Sequence, residues 1–257
     1  MLLVAGGGAR RGPSTMTSPL LTATNVTKRF DALVVLDNVS FDIRADEPLG
    51  IVGPNGAGKT TLLSVLSGAF LPNSGSVTFA GRDITALPSD RRCRLGLVRT
   101  HQIPRPFLGM TAFENVLVAA THGAGMRREE SYDAAIAALD LCGMLKVANR
   151  PASTLGLLDR KRLELARALA AKPHLLLLDE IGGGLTNAEA SELVETILEL
   201  KRRRIGIVWI EHIVHILLQV AQRLICMDAG RIIADGEPQA VMRDPEVIRA
   251  YLGGGAA

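Results

Sequence analysis

Residues 53–61 read GPNGAGKTT, which matches the pattern G-x-x-x-x-G-K-[ST]. Glycines let the backbone turn tightly, so that successive N–H groups point inward and can surround an anion. A helix that begins at this loop adds its unpaired N-terminal amides and the positive end of its dipole. The pattern therefore predicts a phosphate loop, with Lys59 on the terminal phosphates and the Thr60 hydroxyl on Mg²⁺. The predicted phosphate-binding residues are Gly53, Pro54, Asn55, Gly56, Ala57, Gly58, Lys59, Thr60 and Thr61.

The residues on either side of the phosphate loop favour the same interpretation. EPLGIVG before it is typical of a short apolar strand, and TLLSVLSG after it of a helix that ends at Gly68. A glycine-rich loop that arises by chance is the alternative, but it would rarely stand between a strand and a helix. We therefore expect the protein to bind a nucleoside triphosphate.

The composition is that of a globular protein. The chain has 257 residues, of which 47% are hydrophobic and 21% charged, enough for a full core as one domain or as one domain with a subdomain. No stretch approaches the roughly 18 uninterrupted apolar residues of a membrane span. A net charge of +3 is too small to indicate nucleic-acid binding by itself. Cys93, Cys142 and Cys226 are scattered without metal-ligand spacing, which indicates a reducing, cytosolic compartment.

The first segment, MLLVAGGGARRGPSTMTS, is rich in small residues. Its arginines follow the apolar stretch, whereas in a secretory signal they precede it. We expect residues 1–18 to form a disordered lead, with Met16 as an alternative start, and residues 19–257 to form the folded domain.

The run HLLLLDE is expected to supply the second half of the site. A continuous apolar run is typical of a central parallel strand that is buried on both faces. At its end, Asp179 would hold Mg²⁺ directly or through water, and Glu180 would orient and deprotonate the attacking water. Two acids that simply end a strand are the alternative, which the phosphate loop upstream makes less favoured.

Other runs predict the elements around these motifs. Near-alternating segments that flank the phosphate loop indicate an antiparallel sheet. Residues 111 to about 148 have helical spacing with a polar break around 123–125. Further strands are expected at GLVRT and IGIVWIEH, helices at LDRKRLELARALAA, NAEASELVETILELKRR, PQAVM and PEVIRAYL, and a hairpin at LICMDAGRIIADG.

In order and spacing these motifs resemble the ATPase subunits of ATP-binding cassette (ABC) transporters, over nearly the whole chain from Leu20 to Leu252. RTHQIPRPF and IVWIEH carry two further family positions, Gln102 and His212. The resemblance implies that Gln102 senses Mg²⁺ and the attacking water and links to the membrane subunit. It implies that His212 contacts the γ-phosphate and helps to organise Glu180. An ordinary loop amide and an ordinary strand-end histidine are the alternatives.

The resemblance also implies the fold. That fold is α/β: a P-loop NTPase core of mostly parallel sheet, an antiparallel β subdomain and an inserted helical subdomain. We place the core at 19–101 and 160–257 and the helical subdomain at 102–159. In this family an aromatic side chain upstream of the phosphate loop stacks on adenine, and Phe30 stands there. A core phenylalanine is the alternative for that residue.

The family's signature, usually LSGGQ or LSYGQ, departs from its pattern here. In the family, backbone amides at this helix start meet the γ-phosphate on the opposite subunit. Leucine at 158 would prevent the close backbone approach that glycine permits, and Asp159 could act as the helix N-cap and compete with phosphate. We therefore expect a weak trans partner, although Gly156 could give enough clearance for a working site. The signature residues are Leu155, Gly156, Leu157, Leu158 and Asp159.

Two smaller departures follow Glu180, and each has a structural explanation. Ile181 replaces the usual proline, and Thr186 replaces an expected aspartate. Thr186 with Glu189 forms the spacing of a capping box for the next helix. A basic run at 201–204 falls at the end of that helix, where cations complement the dipole, so it does not indicate nucleic acid.

RTHQIPRPFLGMTAFENVLVA, KRLELARAL and DPEVIRAYLG together resemble the branched-chain amino acid type of uptake ATPase. This resemblance implies membrane permease subunits, a second ABC ATPase in a heterodimer or a homodimer, and indirectly a periplasmic or extracellular solute-binding protein. It places the chain peripherally on the cytoplasmic face of the inner membrane, with residues 102 to about 120 as the groove for a coupling helix. ATP and Mg²⁺ are the implied cofactors, and no nucleic acid is expected.

Two functions from other classes stay open. One is a soluble ABC-type ATPase that acts on DNA or ribosomes, although such proteins usually carry coiled-coil insertions or tandem cassettes. The other is a non-catalytic regulatory subunit that binds ATP, which the altered signature favours and Glu180 with His212 disfavours. A phosphate-loop kinase is less favoured because Gln102 and His212 fall at cassette positions.

Overall fold

The computed structural model describes residues 18–253. The predicted lead, except for Ser18, and Met16 lie outside the described residues. Within residues 18–253, the strands form a six-stranded sheet and a four-stranded sheet. The strands are β1 (Leu21–Phe30), β2 (Leu33–Ile43), β3 (Leu49–Val52), β4 (Ser74–Phe79), β5 (Arg82–Asp83), β6 (Leu97–Arg99), β7 (Leu175–Asp179), β8 (Gly206–Ile210), β9 (Arg223–Asp228) and β10 (Arg231–Gly236).

The six-stranded sheet is parallel except at one edge. Its order is β10-β9-β3-β8-β7-β6, and β10 pairs with β9 in the antiparallel direction. Every residue of β3, β7 and β8 is buried, which explains why these strands are continuous apolar runs. The predicted hairpin between β9 and β10 is confirmed. Its turn residues Ala229 and Gly230 have φ of 44° and 80°, as a tight hairpin turn with two left-handed residues requires.

The four-stranded sheet is antiparallel, as the alternating runs predict, with the order β2-β1-β4-β5. Leu21 pairs with Ile43 on one side and with Phe79 on the other. These three side chains share a buried apolar cluster with residues of β3, β7, β8 and β9. The two sheets therefore pack their apolar faces into one core, and the phosphate loop begins at the end of a strand in that core.

Helices cover the other face of the large sheet, and a second apolar cluster fills the space beneath them. In residues 18–253 no helix is both long and apolar enough to cross a membrane. The helices are α1 (Lys59–Leu66), α2 (Ser89–Arg94), α3 (Ala112–Val118), α4 (Arg128–Leu141), α5 (Leu157–Ala170), α6 (Asn187–Arg202), α7 (Val214–Leu217), α8 (Pro238–Met242) and α9 (Pro245–Gly253).

The predicted helical region at 111–148 is confirmed with its break. A π-helical turn at Ala119–Gly123 extends α3, and α4 starts only at Arg128. α5 buries its predicted stripe, including Leu163 and Ala166, both 0% exposed. α5 also runs continuously across the boundary drawn at 159/160, and the division into core and helical subdomain stays a prediction.

Arg92 is fully buried, and the sequence gives no sign of its role. Its Nη1 donates to the carbonyl oxygens of Val65 and Leu66 at 2.8 Å, Nε to Leu87 O at 2.8 Å, and Nη2 to Thr85 O at 2.9 Å. Burial lowers the pKa of Arg92 to about 10, so it stays charged at neutral pH. Because α1 ends at Leu66, this guanidinium donates to carbonyls of its last turn, of which that of Val65 also accepts from the Gly68 N–H at 3.2 Å.

We expect Arg92→Leu to lower the free energy of unfolding by about 3 kcal/mol, because buried carbonyls at the end of α1 lose a charged donor. Urea denaturation followed by circular dichroism measures the change. Arg91→Leu is the matched control, since the Arg91 side chain is 64% exposed and should change stability little. Equal losses in the two variants would contradict the role given to Arg92.

Candidate nucleotide site

The phosphate loop joins β3 to α1, and at two of its glycines both the backbone angle and the surrounding atoms exclude a side chain. Gly53 and Gly58 have φ of 144° and 96°, a region that L side chains rarely adopt. A Cβ on Gly53 would lie 2.1 Å from the carbonyl oxygen of Met227, and one on Gly58 would lie 2.7 Å from that of Val35. No side chain caps the N-terminal amides of α1 at Lys59. Those amides can therefore bind an anion, as the predicted phosphate site requires.

Lys59 places its cation inside the phosphate loop. The residue is 6% exposed, and Nζ donates to the carbonyl oxygens of Gly53 at 2.7 Å and Pro54 at 2.9 Å. Burial lowers the pKa of Lys59, and the negative charge of Glu180 opposes that shift. The loop thus concentrates one positive charge beside the amides of α1, which suits a polyanion such as a nucleotide phosphate.

A cavity of about 200 Å³ lies over the phosphate loop. It brings the loop together with Glu180 and His212, two residues that the sequence places far apart. Val35 of β2 also lines it, and nothing in the sequence beyond its strand position marks that residue. The lining residues are Val35, Asn55, Gly56, Ala57, Gly58, Lys59, Thr60, Thr61, Glu180 and His212.

Glu180 is held on both of its carboxylate oxygens. Oε1 lies 2.8 Å from Nε2 of His212, and Oε2 accepts a hydrogen bond from Nε2 of Gln102. The residue has φ of 48°, and its N–H donates to the Ile210 carbonyl oxygen at 2.9 Å. The three predicted catalytic residues therefore meet in one group at the mouth of the cavity. Nε2 of Gln102 donates to Glu180, so only the side-chain oxygen of Gln102 could ligate Mg²⁺. The role of Gln102 toward the ion stays a prediction.

Asp179 fits the predicted Mg²⁺ site. It is 1% exposed, and its Oδ2 accepts from Nη2 of Arg99 at 2.6 Å. Its Oδ1 is buried without a hydrogen-bond partner, and buried polar atoms are rarely left so. No group of three or more His, Cys, Asp or Glu side chains in the described part of the chain could hold a metal. A cation here would depend on Asp179 together with hydroxyl, phosphate and water oxygens, the ligands that Mg²⁺ prefers.

Sequence reasoning missed Arg99, which orients Asp179. Arg99 ends β6, the strand that pairs with β7, so its side chain reaches the acid at the end of β7. Its Nη1 also donates to Oγ of Ser64 on α1 at 2.8 Å. The only signal in the sequence is a charged residue at the end of an apolar strand that precedes Gln102.

A buried lysine and a buried glutamate behind Glu180 were also missed. Lys161 of α5 is 5% exposed and donates to the Glu180 carbonyl oxygen at 3.3 Å. Burial lowers the pKa of Lys161, opposed first by the charge of Glu211 and then by that of Glu180. Glu211 accepts from the N–H groups of Gly182 and His212, each at 2.9 Å. This pair fixes the backbone on either side of the Glu180 and His212 side chains.

α5 also contacts the segment around Gln102. Oε1 of Glu164 accepts from the His101 N–H at 3.2 Å, and Nη1 of Arg167 donates to the Arg105 carbonyl oxygen at 3.0 Å. The same helix that holds the Glu180 carbonyl through Lys161 therefore holds the joint that carries Gln102. The proline-flanked joint is thus fixed to α5 on two sides.

Phe30 is not a core residue, since it is 40% exposed. Its ring packs edge-on against Phe70, with centroids 5.2 Å apart, and Nζ of Lys28 lies 5.0 Å from the Phe30 centroid. Phe30 does not line the cavity over the phosphate loop. Its stacking on adenine stays a prediction. The structure shows two adjacent aromatic rings, Phe30 and Phe70, where the sequence predicted one.

The start of α5 corrects one prediction. Asp159 is not the N-cap: Gly156 occupies that position in extended conformation, with φ of −69° and ψ of 177°. Asp159 lies in the first turn, three residues beyond the cap, because the helix begins three residues earlier than a cap at 159 would require. Its charge still stands near the helix N-terminus, where it complements the dipole. Leu157 at the first helical position is 47% exposed.

The capping box at Thr186 is confirmed. Its hydroxyl accepts from the Glu189 N–H at 3.3 Å, and the Glu189 carboxylate accepts from the Thr186 N–H at 2.8 Å. This starts α6 directly after the glycine segment at 182–184. A Cβ on Gly182 would lie 2.8 Å from Oε2 of Glu211, so a larger residue there would displace this carboxylate from the Gly182 N–H.

We expect Lys161→Met to lower kcat for ATP hydrolysis about tenfold with little change in KM, because the Glu180 peptide loses one charged hydrogen bond, worth about 1.4 kcal/mol. Steady-state phosphate release measures both constants. Lys146→Met is the control, since Lys146 is exposed outside this group. A kcat loss of similar size in the control would contradict a specific role for Lys161.

Comparison with known proteins agrees with this geometry. A family model described as "ABC transporter" matches residues 36–182, and one described as "Branched-chain amino acid ATP-binding cassette transporter" matches residues 231–257. The chain is 37% identical to the high-affinity branched-chain amino acid transport ATP-binding protein LivG of Salmonella typhimurium, over 93% of this chain and 99% of LivG. It is 34% identical to the high-affinity branched-chain amino acid transport ATP-binding protein BraF of Pseudomonas aeruginosa, over 93% of this chain and 99% of BraF.

A solved structure shows the same fold. The ADP conformation of MJ1267, an ATP-binding cassette of an ABC transporter, matches with a TM-score of 0.84 and 31% identity, over 92% of this chain and 100% of that one. The residues that the ABC transporter family model matches include the phosphate loop and Glu180. The chain therefore belongs to the ABC transporter family, as a subunit that binds and hydrolyses ATP.

Proposed function

We propose that this chain energises an importer for branched-chain amino acids or a related small polar solute. The observation that carries the proposal is the group formed by Glu180, Gln102 and His212 at the mouth of the phosphate-loop cavity. That group has the donors and the acceptor that water activation needs beside a bound triphosphate. The C-terminal match to the branched-chain family model supports the choice of solute class.

In the proposed mechanism, the ATP phosphates lie in the phosphate loop, with Lys59 and the amides of α1 around them. Asp179 and Thr60 would hold Mg²⁺, with Gln102 nearby, and the ion would neutralise charge on the phosphates. The oxygen of the attacking water forms a bond to the γ-phosphorus, and Glu180 accepts a proton from that water. The bond from that phosphorus to the bridging oxygen breaks, and ADP and phosphate leave.

The contacts around Glu180 supply positioning rather than covalent chemistry. Gln102 and His212 fix the two carboxylate oxygens, while Ile210 and Lys161 hold the backbone N–H and carbonyl. A carboxylate that is fixed before the water arrives does not have to be ordered during the reaction. Phe30 would add stacking on the base, worth roughly 1–3 kcal/mol without strong choice of base.

We expect Glu180→Gln to lose more than 100-fold in kcat while it keeps ATP binding, because the amide cannot take the proton of water. The variant should accumulate ATP-bound closed dimers, measured by size-exclusion chromatography with light scattering. Glu195→Gln is the control, because Glu195 is an exposed residue on α6. Retained turnover would exclude Glu180 as the residue that orients water.

We propose membrane permease subunits as the partners, with peripheral attachment at the cytoplasmic face of the inner membrane. The segment after Gln102 supports this because several of its apolar side chains are exposed. Ile103 is 71% exposed, Leu108 54% and Phe107 47%. Such a patch is typical of a surface that receives an apolar helix. A solute-binding protein outside the membrane would act through the permeases.

We propose a second ABC ATPase as the dimer partner, because the start of α5 is altered. Leu158 stands in the first turn of the helix that would face the partner's γ-phosphate, and Asp159 adds a repelling charge there. A partner with an unaltered signature would complete one of two sites. Gly156 could preserve the contact, since a Cβ there would meet no atom within 4 Å.

We expect the double change Leu158→Gly with Asp159→Gln to strengthen ATP-driven dimerisation at least severalfold, because it removes a side chain and a negative charge from the approach to phosphate. Sedimentation velocity with ATP, in a Glu180→Gln background, measures the change. Asp140→Asn, an exposed acid at the end of α4, serves as the charge control. Unchanged dimerisation would mean that the altered signature is tolerated.

Affinity purification of the tagged chain from gently extracted membranes of its native cell tests the whole proposal. Mass spectrometry should identify two polytopic membrane proteins and a second ABC ATPase. Recovery of membrane proteins with this chain alone would establish a homodimer. Recovery of ribosomes or DNA-repair proteins would replace transport with the soluble alternative.

A further inference from the structure

The C-terminal helix α9 reaches back to the phosphate loop. Val247, near the start of α9, is 1% exposed and belongs to the large apolar cluster, so it anchors the helix. Tyr251 follows four residues later, which places it on the same face of the helix. That face points toward the end of β3, where the phosphate loop begins.

The Tyr251 hydroxyl accepts a hydrogen bond from the Gly53 N–H at 2.9 Å, across 198 residues of chain. Val52, paired with Cys226, is the last residue of β3 in register with β9. Gly53 is therefore the first residue that leaves the sheet, and a side chain rather than a strand carbonyl satisfies its N–H. A backbone N–H at this position would otherwise need another partner, because buried amides are nearly always bonded.

Gly53 links Tyr251 to the cation of the site. Its carbonyl oxygen accepts from Nζ of Lys59 at 2.7 Å, while its N–H donates to Tyr251. On a third side Gly53 lies against the Met227 carbonyl, where even a Cβ would not fit. A displacement of Gly53 would therefore change the position of Lys59 and the entry of the loop.

We propose that Tyr251 is a positioning residue that fixes the first residue of the phosphate loop for ATP binding. The proposal rests on the proposed role of residues 53–61 as the phosphate cradle, and not on the solute or the membrane partners. Tyr251 does not line the cavity over the phosphate loop. It lowers the cost of ordering the loop, so its contribution belongs to nucleotide affinity rather than to the chemical step.

Tyr251→Phe tests this with the removal of one oxygen atom. We expect KM and Kd for ATP to rise about three- to tenfold with kcat unchanged, the change that loss of one hydrogen bond produces. Hydrogen exchange followed by NMR should show faster exchange of the Gly53 amide, which a merely structural role elsewhere in α9 would not cause. Phosphate release, equilibrium binding of a fluorescent ATP analogue and thermal unfolding complete the measurements.

The chain provides a matched control, because it contains two tyrosines. Tyr132 on α4 is 40% exposed, and its ring packs against Phe113 with centroids 5.4 Å apart. Tyr132→Phe should leave KM, Kd and Gly53 exchange at the wild-type values. Equal values in the two tyrosine variants, or a lower kcat with unchanged KM in Tyr251→Phe, would overturn the proposal.

Lys59→Ala separates failure of this inference from failure of the proposed site. Tight ATP binding by a folded Lys59→Ala variant would show that the loop is not the phosphate cradle, and both proposals would fall. Loss of binding in that variant with no change in Tyr251→Phe would leave the site in place and remove only the role of Tyr251.

Discussion

The parallel pairing of β3, β6, β7 and β8 is the constraint on which the site depends. Parallel strands end at the same edge of a sheet, and in open α/β folds that edge is where ligands bind. Each of the four strands delivers one part: the phosphate loop, the Gln102 joint, the acids 179–180, and His212. Residues that lie up to about 160 positions apart in the chain therefore meet at one edge of the sheet.

The sequence predicts the parts that have local signatures. The phosphate loop, the buried strand that ends at Asp179 and the capping box at Thr186 depend on neighbours within a few residues, and each is found where predicted. Gln102 and His212 could be placed only by resemblance, because one amide and one histidine carry no chemistry by themselves. The N-cap of α5 was misplaced because glycine and aspartate are both good N-caps, and the structure has Gly156 in that position.

The burial of single basic residues could not be predicted from the sequence, although they donate hydrogen bonds to buried groups. Arg92, Arg99 and Lys161 are buried or nearly so, and each donates to a group on an element distant in sequence. Charged side chains in a sequence are normally assigned to the surface, which is the correct expectation for most of them. These three are retained inside because their partners are helix-end carbonyls, a buried carboxylate and the Glu180 peptide, none of which can find water there.

The hydrogen bonds of α5 connect the joint that carries Gln102 with the backbone of Glu180. Glu164 and Arg167 hold the backbone of the joint at residues 101–105, and Lys161 holds the Glu180 carbonyl one to two turns earlier. A hydrogen-bonded helix of 14 residues is stiff, so its residues keep their relative positions. Because both sets of contacts belong to one helix, the joint and the Glu180 carbonyl cannot shift relative to each other without breaking a hydrogen bond of α5.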